Sequence, residues 1–397
     1  MRPSIFQAFG EIIFAGFSGL IAVYFLLGLP GYVSRRSLVF FASVSLFCSY
    51  ATLQGTLLGA QSPGPLLTSA AFVFVPGLAV FLLSPSNWSS GLKAIIYTVG
   101  LFVPTYVVST ILLLAGNDLE AIRLMEFNVP MGEKVYNMVL AFPYSPYFYN
   151  IAYIGDITLP RATGILREPG LFQVLAITTF FGVDFTNIKR KLFFKIGSIL
   201  LLFTTFSTAG FGSFTVCWAY YYVFARRSSG TTISRSSAKT WALRIGAVGA
   251  LVGIVYFSIF FDSKFSLMGK LQSGSGQVRL LAIVDAFNVL MQHPLIGIGY
   301  GNTQVDSVIF IGVMAQIGFL GIFLAFMMSV APNLDLIASR HPVLVLLIPV
   351  LLTTLFSQPL FDKPLFVLIV ALVAAYPYRS VDTDPHLRTQ ERSLRRV

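Results

Sequence analysis

Long apolar segments alternate with short polar connections along most of the chain. A helix that crosses a bilayer needs about 20 mainly apolar residues. Segments that approach this length lie at residues 8–28, 38–60, 65–83, 94–115, 169–185, 192–207, 210–225, 241–261 and 306–330, and a final hairpin covers residues 342–378. The pattern predicts an all-α polytopic membrane protein, a single integral membrane domain over residues 1–397 with eleven or twelve transmembrane helices.

Clusters of basic residues indicate which connections face the cytoplasm, because Lys and Arg are enriched in cytoplasmic loops. The clusters lie at residues 35–36, 93, 189–191, 226–239 and 340–341. Two long polar segments, residues 116–169 and 262–306, alternate with these clusters and are predicted to be large extracytoplasmic loops. The basic tail over residues 379–397 is predicted to be cytoplasmic. An eleven-helix count places the N-terminus outside, and one helix more or fewer places both termini in the cytoplasm.

Composition supports a membrane protein and excludes several other classes. The chain is 56% hydrophobic and only 11% charged, which is far from the composition of soluble globular proteins. Its formal net charge of +11 would suggest a nucleic-acid partner in a soluble domain, but these charges lie between apolar segments and indicate topology instead. Cys48 and Cys217 lie inside apolar segments, so neither a disulfide framework nor a metal cluster is predicted.

The end of the first predicted outer loop, residues 161–170, combines two arginines with a helix start. Pro169 suits the first position of a helix, which makes Glu168 the N-cap. The unpaired N–H groups of that first turn would then point toward Arg161 and Arg167. Guanidinium groups and a helix N-terminus both favour an anion such as phosphate. The alternative is an arginine pair that merely extends to the membrane interface.

The second predicted outer loop contains a segment with helical periodicity over residues 278–292. At 100° per residue, Asp285, Asn288 and Gln292 share one face, whereas Arg279 falls on the apolar side and needs a partner. Residues 293–302 follow and are too rich in glycine to extend the helix.

The two outer loops together suggest a site for a lipid-linked diphosphate at the membrane surface. Arg161, Arg167 and Arg279 are predicted to bind the diphosphate through charge-assisted hydrogen bonds. If a sugar is transferred from such a lipid, a side chain must accept the proton of the attacking hydroxyl. The candidates for this catalytic role are Glu168, Asp306 and His293.

Each catalytic candidate also has a structural interpretation. Glu168 and Asp306 both suit helix N-caps, and His293 precedes a proline at a helix end, where a capping histidine is common. Without clustered His, Cys or carboxylate residues, no metal and no cofactor are predicted.

Four short motifs, in this order, resemble the O-antigen ligase/polymerase family. They are RATGILREPG at residues 161–170, SGQVR at 275–279, HPLIGIGYG at 293–301 and QIGFLG at 316–321, and the resemblance covers about residues 155–325. It implies a GT-C-like, metal-independent glycosyltransferase that uses undecaprenyl-diphosphate-linked oligosaccharides as donor and acceptor. Such enzymes act at the outer face of the bacterial inner membrane, with loop arginines on the donor diphosphate.

Within that family, the sequence favours a polymerase over a ligase. Ligases usually carry a His-Asn pair where this chain has Asp306 and Ser307. The chain also departs from the family pattern at residues 205–209, which lack an arginine, and at Gln316, where a glutamate is common. A polymerase implies a flippase and a chain-length regulator as partners. The alternatives are a ligase that transfers glycans to another acceptor, a non-catalytic assembly subunit, or a transporter of lipid-linked oligosaccharides. The transporter is disfavoured because the predicted spans are nearly uncharged.

Overall fold

The structure is a computed structural model that describes part of the chain. The described residues are 35–62, 64, 66–67, 70–71, 88–131, 134–154, 157–164, 166, 169–205, 207–228, 274–305, 310–356, 360–361 and 363–377. Three predicted site residues, Arg167, Glu168 and Asp306, lie outside them. The predicted spans at residues 8–28 and 241–261, most of the span at 65–83 and the basic tail also lie outside them.

Most of the described chain is helical. The α-helices are α1 (Arg35–Leu57), α2 (Trp88–Leu114), α3 (Pro169–Gly182), α4 (Lys191–Thr204), α5 (Thr208–Ser228), α6 (Gly274–Gln292), α7 (Phe310–Val330), α8 (Leu334–Ala338), α9 (Ile348–Phe356) and α10 (Pro364–Ala374). Short 3₁₀ turns cover Val183–Phe185, Ala331–Asn333 and Pro342–Leu346.

Within the described residues, three helices are long and apolar enough to cross a membrane. They are α1, α2 and the continuous helical stretch Phe310–Ala338, which begins with α7. All three coincide with spans predicted at residues 38–60, 94–115 and 306–330. The coarse prediction of a mainly helical membrane protein is therefore supported, while the total of eleven or twelve spans stays a prediction.

A four-stranded antiparallel sheet lies between α2 and α3 in the chain, so the prediction of an all-α protein was wrong in this region. The placement of residues 116–169 outside the cytoplasm stays a prediction. The strands are β1 (Arg123–Met131), β2 (Lys134–Ala141), β3 (Ser145–Ile154) and β4 (Ile157–Ala162), paired in sequence order. The sequences of β2 and especially β3 contain aromatic and β-branched residues, which favour strands. The sheet is a simple meander in which each strand pairs with the next.

Helices α3 and α10 form the centre of the described helices. Both are mainly apolar around their circumference, which is typical of buried rather than amphipathic helices. Phe172 of α3 and Phe366 of α10 are fully buried. Strand β4 packs against α3 and α4, so the sheet is joined to this central core.

Arg36 joins the first described helix to the last ones. Its Nε donates to the carbonyl of Pro332 at 3.0 Å, and its Nη1 donates to the carbonyl of Tyr376 at 3.1 Å. Its Nη2 bonds Asn333 Oδ1 and the carbonyl of Val373, both at 3.2 Å. Because Val373 lies in the last turn of α10 and Tyr376 follows its end, the cation also interacts favourably with the negative end of that helix dipole.

Candidate functional site

Arg161 lies near the end of β4 and faces the end of a helix. Its backbone pairs with Phe148 of β3, and its side chain is half-buried. The guanidinium Nε donates to the carbonyl of Thr205 at 2.9 Å. Thr205 is the C-cap of α4, so Arg161 places a cation at the negative end of the α4 dipole. The sequence placed this arginine near the start of α3 and gave no sign of its contact with α4.

The chain that follows Arg161 is fixed by a buried tyrosine. Tyr106 of α2 donates its hydroxyl proton to the carbonyl of Pro146 and accepts the backbone N–H of Gly164 at 2.8 Å. The hydroxyl of Thr163 donates to the same Pro146 carbonyl at 3.1 Å. Gly164 has a φ of 58°, and a Cβ there would lie 2.3 Å from the ring of Phe172. We call residues 161–164 with Tyr106 and Thr205 the β4 region.

A second hydroxyl cluster joins α2 to β3. Ser109 Oγ lies 3.0 Å from Ser145 Oγ and 2.6 Å from the hydroxyl of Tyr147. Burial raises the pKa of Tyr147, against the opposing effect of its hydrogen bonds to Ser109 and Thr110. Tyr147 therefore stays protonated near neutral pH and serves as a hydrogen-bonding group in the core.

Helix α3 begins at Pro169, as the sequence predicts. Pro169 and Gly170 are both buried. Because Arg167 and Glu168 lie outside the described residues, the predicted N-cap and diphosphate roles at this helix start stay predictions.

Gln173 is a buried polar residue of α3 that the sequence analysis missed. It is fully buried, and its Nε2 lies 3.5 Å from Thr353 Oγ1, which is a long contact. Its Oε1 has no hydrogen-bond partner within the described residues. A Cβ on Gly210 would lie 2.4 Å from that oxygen, so the glycine permits the close approach of α3 and α5. The signal available in the sequence was a polar, small-residue patch at residues 207–213.

In the second half of the chain, α6 confirms the predicted helical face. Ala286 and Leu290 are buried, whereas Asp285 and Asn288 are exposed. The backbone of Arg279 lies in α6, but its side chain is not among the described ones. Its predicted contact with a diphosphate stays a prediction.

His293 is exposed immediately after the end of α6. Its N–H donates to the carbonyl of Val289 at 3.0 Å, and its carbonyl accepts the N–H of Gly297 at 3.0 Å. The backbone of His293 thus closes the helix and starts the next turn. The capping role of its side chain stays a prediction. Its exposed ring remains a candidate for proton transfer.

The glycine-rich segment after His293 pairs with a break in α7. The break is at Gly318, where φ is 66° and ψ is −178°. On one side of it, the N–H of Ile298 donates to the carbonyl of Ala315 at 3.1 Å, and the N–H of Gly299 donates to that of Gln316 at 3.0 Å. The loop therefore supplies partners for backbone groups that the broken helix cannot satisfy internally.

On the other side of the break the direction of donation is reversed. The N–H of Phe319 donates to the carbonyl of Pro294 at 2.8 Å, and the N–H of Leu320 donates to that of Leu295 at 3.0 Å. A Cβ on Gly318 would lie 2.4 Å from the carbonyl oxygen of Leu295. The two backbones approach so closely that only glycine fits at this point. We call residues 293–305 together with residues 315–320 the helix-break region.

Two buried glutamines complete the helix-break region. Gln54 of α1 donates through Nε2 to the carbonyls of Ile296 and Gln316, at 2.5 and 2.7 Å. Its Oε1 accepts the N–H of Tyr300 at 2.7 Å. Helix α1, predicted from the sequence only as a span, thus binds the second predicted outer loop.

The side chain of Gln316 binds the end of the same loop. Its Nε2 donates to the carbonyls of Asn302 and Val305, at 2.8 and 3.2 Å, and its Oε1 accepts the N–H of Gly301 at 3.4 Å. Gln54 and Gln316 are 6% and 3% exposed, so both amides are shielded from water. They make five contacts along the loop, in addition to its backbone hydrogen bonds with α7.

The structure thus contains two polar regions, the β4 region and the helix-break region. Arg161 contacts the end of α4, whereas His293 contacts the end of α6. Among the described residues, no group of three His, Cys, Asp or Glu side chains is arranged to hold a metal ion. Cys48 and Cys217 are both buried free thiols.

Comparison with models of known protein families and with curated proteins finds no match to this chain.

Proposed function

We propose that the chain is a bacterial polysaccharide polymerase. It joins undecaprenyl-diphosphate-linked oligosaccharide repeat units into exopolysaccharide, capsule or O-antigen at the outer face of the inner membrane. The observation that carries the proposal is Arg161, a half-buried cation at the end of β4, where this strand packs against α3 and α4. A permanently charged, planar guanidinium in a partly dehydrated site is suited to a diphosphate.

The reaction transfers the growing chain from its lipid carrier to a new repeat unit. A hydroxyl of the new unit attacks the anomeric carbon of the growing chain, and the bond between that carbon and the diphosphate oxygen breaks. The hydroxyl proton passes to a base, and undecaprenyl diphosphate leaves with the bonding electron pair. Arg161, Arg167 and Arg279 stabilise the charge of the leaving diphosphate, and Glu168, Asp306 and His293 are the candidates for the base.

The membrane location is supported by the three long apolar helices of the described chain. Donor and acceptor both carry lipid tails, so the reaction must take place beside the bilayer. The proposed partners are a flippase that delivers the repeat units and a regulator that sets chain length. No cofactor takes part in the proposed reaction.

The test is polymer synthesis by purified protein in lipid nanodiscs supplied only with undecaprenyl-diphosphate-linked repeat units. We expect wild-type protein to produce a ladder of long chains on a gel. Arg161→Ala should retain membrane insertion but abolish long chains, because the leaving diphosphate loses a charge partner.

Arg123→Ala is the matched control, because Arg123 is another arginine of the same sheet but pairs with Glu120 and Glu126 at an exposed site. This variant should produce wild-type chain lengths. Normal chains from Arg161→Ala would contradict the assigned role of Arg161. Transfer of the glycan to a different acceptor, once one is added, would identify a ligase. Movement of lipid-linked units across the membrane of sealed vesicles without polymer would identify a transporter.

A further inference from the structure

Gln54 and Gln316 bind consecutive parts of one loop from two different helices. Gln54 on α1 contacts Ile296 and Tyr300, and Gln316 on α7 contacts residues 301, 302 and 305. The two side chains are also linked, because Gln54 Nε2 donates to the backbone carbonyl of Gln316 at 2.7 Å. The side chains of Gln54 and Gln316 therefore bind the loop at several points between Ile296 and Val305.

Both positions require a side chain that donates and accepts at the same time. Gln316 donates from Nε2 to two carbonyls and accepts one N–H at Oε1, and Gln54 has the same pattern. A neutral amide satisfies this arrangement, whereas an ionised carboxylate is only an acceptor and would face two carbonyl oxygens. Because both sites are buried, such a mismatch is not relieved by water.

We propose that Gln54 and Gln316 are positioning residues for the polymerase reaction. They fix the loop at residues 293–305, and thereby fix the chain between two of the candidate proton acceptors, His293 and Asp306. The inference rests on the proposed function and assigns residues to it that act through the loop. Displacement of a catalytic group by about 1 Å is enough to reduce turnover about 100-fold, so loosening this loop should affect kcat more than KM.

The test compares Gln316→Leu and Gln316→Glu in the polymerisation assay at several pH values. Gln316→Leu removes all three side-chain hydrogen bonds, and we expect a decrease in kcat of about 100-fold with little change in KM. Gln316→Glu should be similarly impaired near pH 8, where its ionised carboxylate repels the carbonyls of Asn302 and Val305. On acidification to about pH 5 the buried carboxyl takes up a proton and can donate again.

The activity of Gln316→Glu relative to wild type should therefore rise as the pH falls, whereas the relative activity of Gln316→Leu stays constant. A residue that only stabilises the fold would not produce this recovery. Gln304→Glu is the matched control, because it makes the same chemical change at an exposed position of the same loop. It should follow the wild-type pH profile.

Hydrogen exchange at the N–H groups of Tyr300 and Gly301 reports the loop itself. Exchange should be faster than in wild type for Gln316→Leu, and for Gln316→Glu it should approach the wild-type rate at acidic pH. Folded Gln316→Glu protein with unchanged relative activity across the pH range would overturn the positioning role. Wild-type protein that makes no polymer would instead overturn the proposed function, and the positioning role with it.

Discussion

The β4 region and the helix-break region stabilise irregular backbone in different ways. In the β4 region, side chains bind backbone groups, as when Tyr106 contacts both Pro146 and Gly164. In the helix-break region, backbone binds backbone across the break at Gly318, and two amide side chains bind the remaining groups. Both regions contain a glycine that leaves no room for a Cβ, but Gly164 in the β4 region lies against the side chain of Phe172, whereas Gly297 and Gly318 in the helix-break region lie against backbone atoms.

This difference predicts different sensitivities to mutation. Removal of one hydroxyl in the β4 region leaves the backbone path intact and exposes one unpaired group. Addition of one methyl group in the helix-break region forces two backbones apart and disturbs several hydrogen bonds at once. Protein interiors do not adapt freely to such an addition, because close-packed backbone cannot shift as a side chain can.

Gly297→Ala should have the largest effect. Gly297 has a φ of 69°, and its new Cβ would lie 2.3 Å from the carbonyl oxygen of Gln316. We expect the variant to lose the bonds between the loop and α7, with a marked decrease in the thermal unfolding temperature in detergent. Hydrogen exchange at Ile298 and Gly299 should become faster at the same time.

Gly59→Ala is the control for backbone conformation alone. Gly59 has a similar φ of 66°, but no atom lies within 4 Å of its new Cβ. Left-handed strain for a residue with a Cβ is about 1–2 kcal/mol, so this variant should be destabilised only by about that amount. If Gly297→Ala and Gly59→Ala lowered the unfolding temperature equally, the backbone contact across the helix break would not contribute to stability.

Tyr106→Phe should have an intermediate effect. The change removes the hydroxyl that accepts the N–H of Gly164 in a buried site. An unpaired buried donor costs about 1–3 kcal/mol, and Pro146 still accepts hydrogen bonds from Thr163. We expect a lower unfolding temperature and a smaller decrease in polymer synthesis than Arg161→Ala causes.

Tyr144→Phe serves as the reference for this loss, because Tyr144 is 70% exposed near the same sheet. Its unfolding temperature should equal that of wild type. If the unfolding temperature of Tyr106→Phe equalled that of Tyr144→Phe, the hydroxyl of Tyr106 would not stabilise the β4 region. The proposed difference between the two regions would then be wrong for the β4 region.

The two regions also differ in how well the sequence predicts them. Pro169 at a helix start, the two faces of α6 and the end of that helix near His293 all follow from local rules of capping and periodicity. The glycine-rich character of residues 293–302 correctly excluded a helix there. Each of these features depends on residues close together in the chain.

The features that the sequence could not supply depend on distant partners. Gln54 binds residues about 250 positions away, and Arg161 binds the carbonyl of Thr205, 44 positions away. The sheet was missed because residues 116–169 were interpreted by polarity and charge, although β2 and β3 are rich in aromatic and β-branched residues. Pairing of backbone across the helix break leaves only glycines as a signal, and glycines also mark ordinary turns.

A polar cluster away from both regions provides a reference for the comparison. His341 accepts the N–H of Val343 at its Nδ1 at 3.2 Å, and its ring centroid lies 4.9 Å from that of Tyr376. Its carbonyl accepts the hydroxyl of Tyr220 at 3.1 Å. Burial lowers the pKa of His341 below its ordinary value of 6.5, and the nearby charge of Arg36 lowers it further.

Acidification should therefore destabilise the protein through His341. We expect this effect on stability to be smaller than those of Gly297→Ala and Tyr106→Phe. Below pH 6.5 the unfolded chain takes up a proton that folded His341 resists, so stability is lost as the pH falls through the folded pKa. His341→Asn retains an acceptor for the N–H of Val343 and removes the titration. Unfolding temperatures measured from about pH 8 to about pH 5 should fall less for this variant than for wild type.

Hydrogen exchange at the N–H groups of Gly164 and Gly299 should not differ between the two proteins at any pH. A difference there would mean that the cluster around His341 is coupled to one of the two regions, and an identical fall in unfolding temperature would rule out His341 as the titrating group.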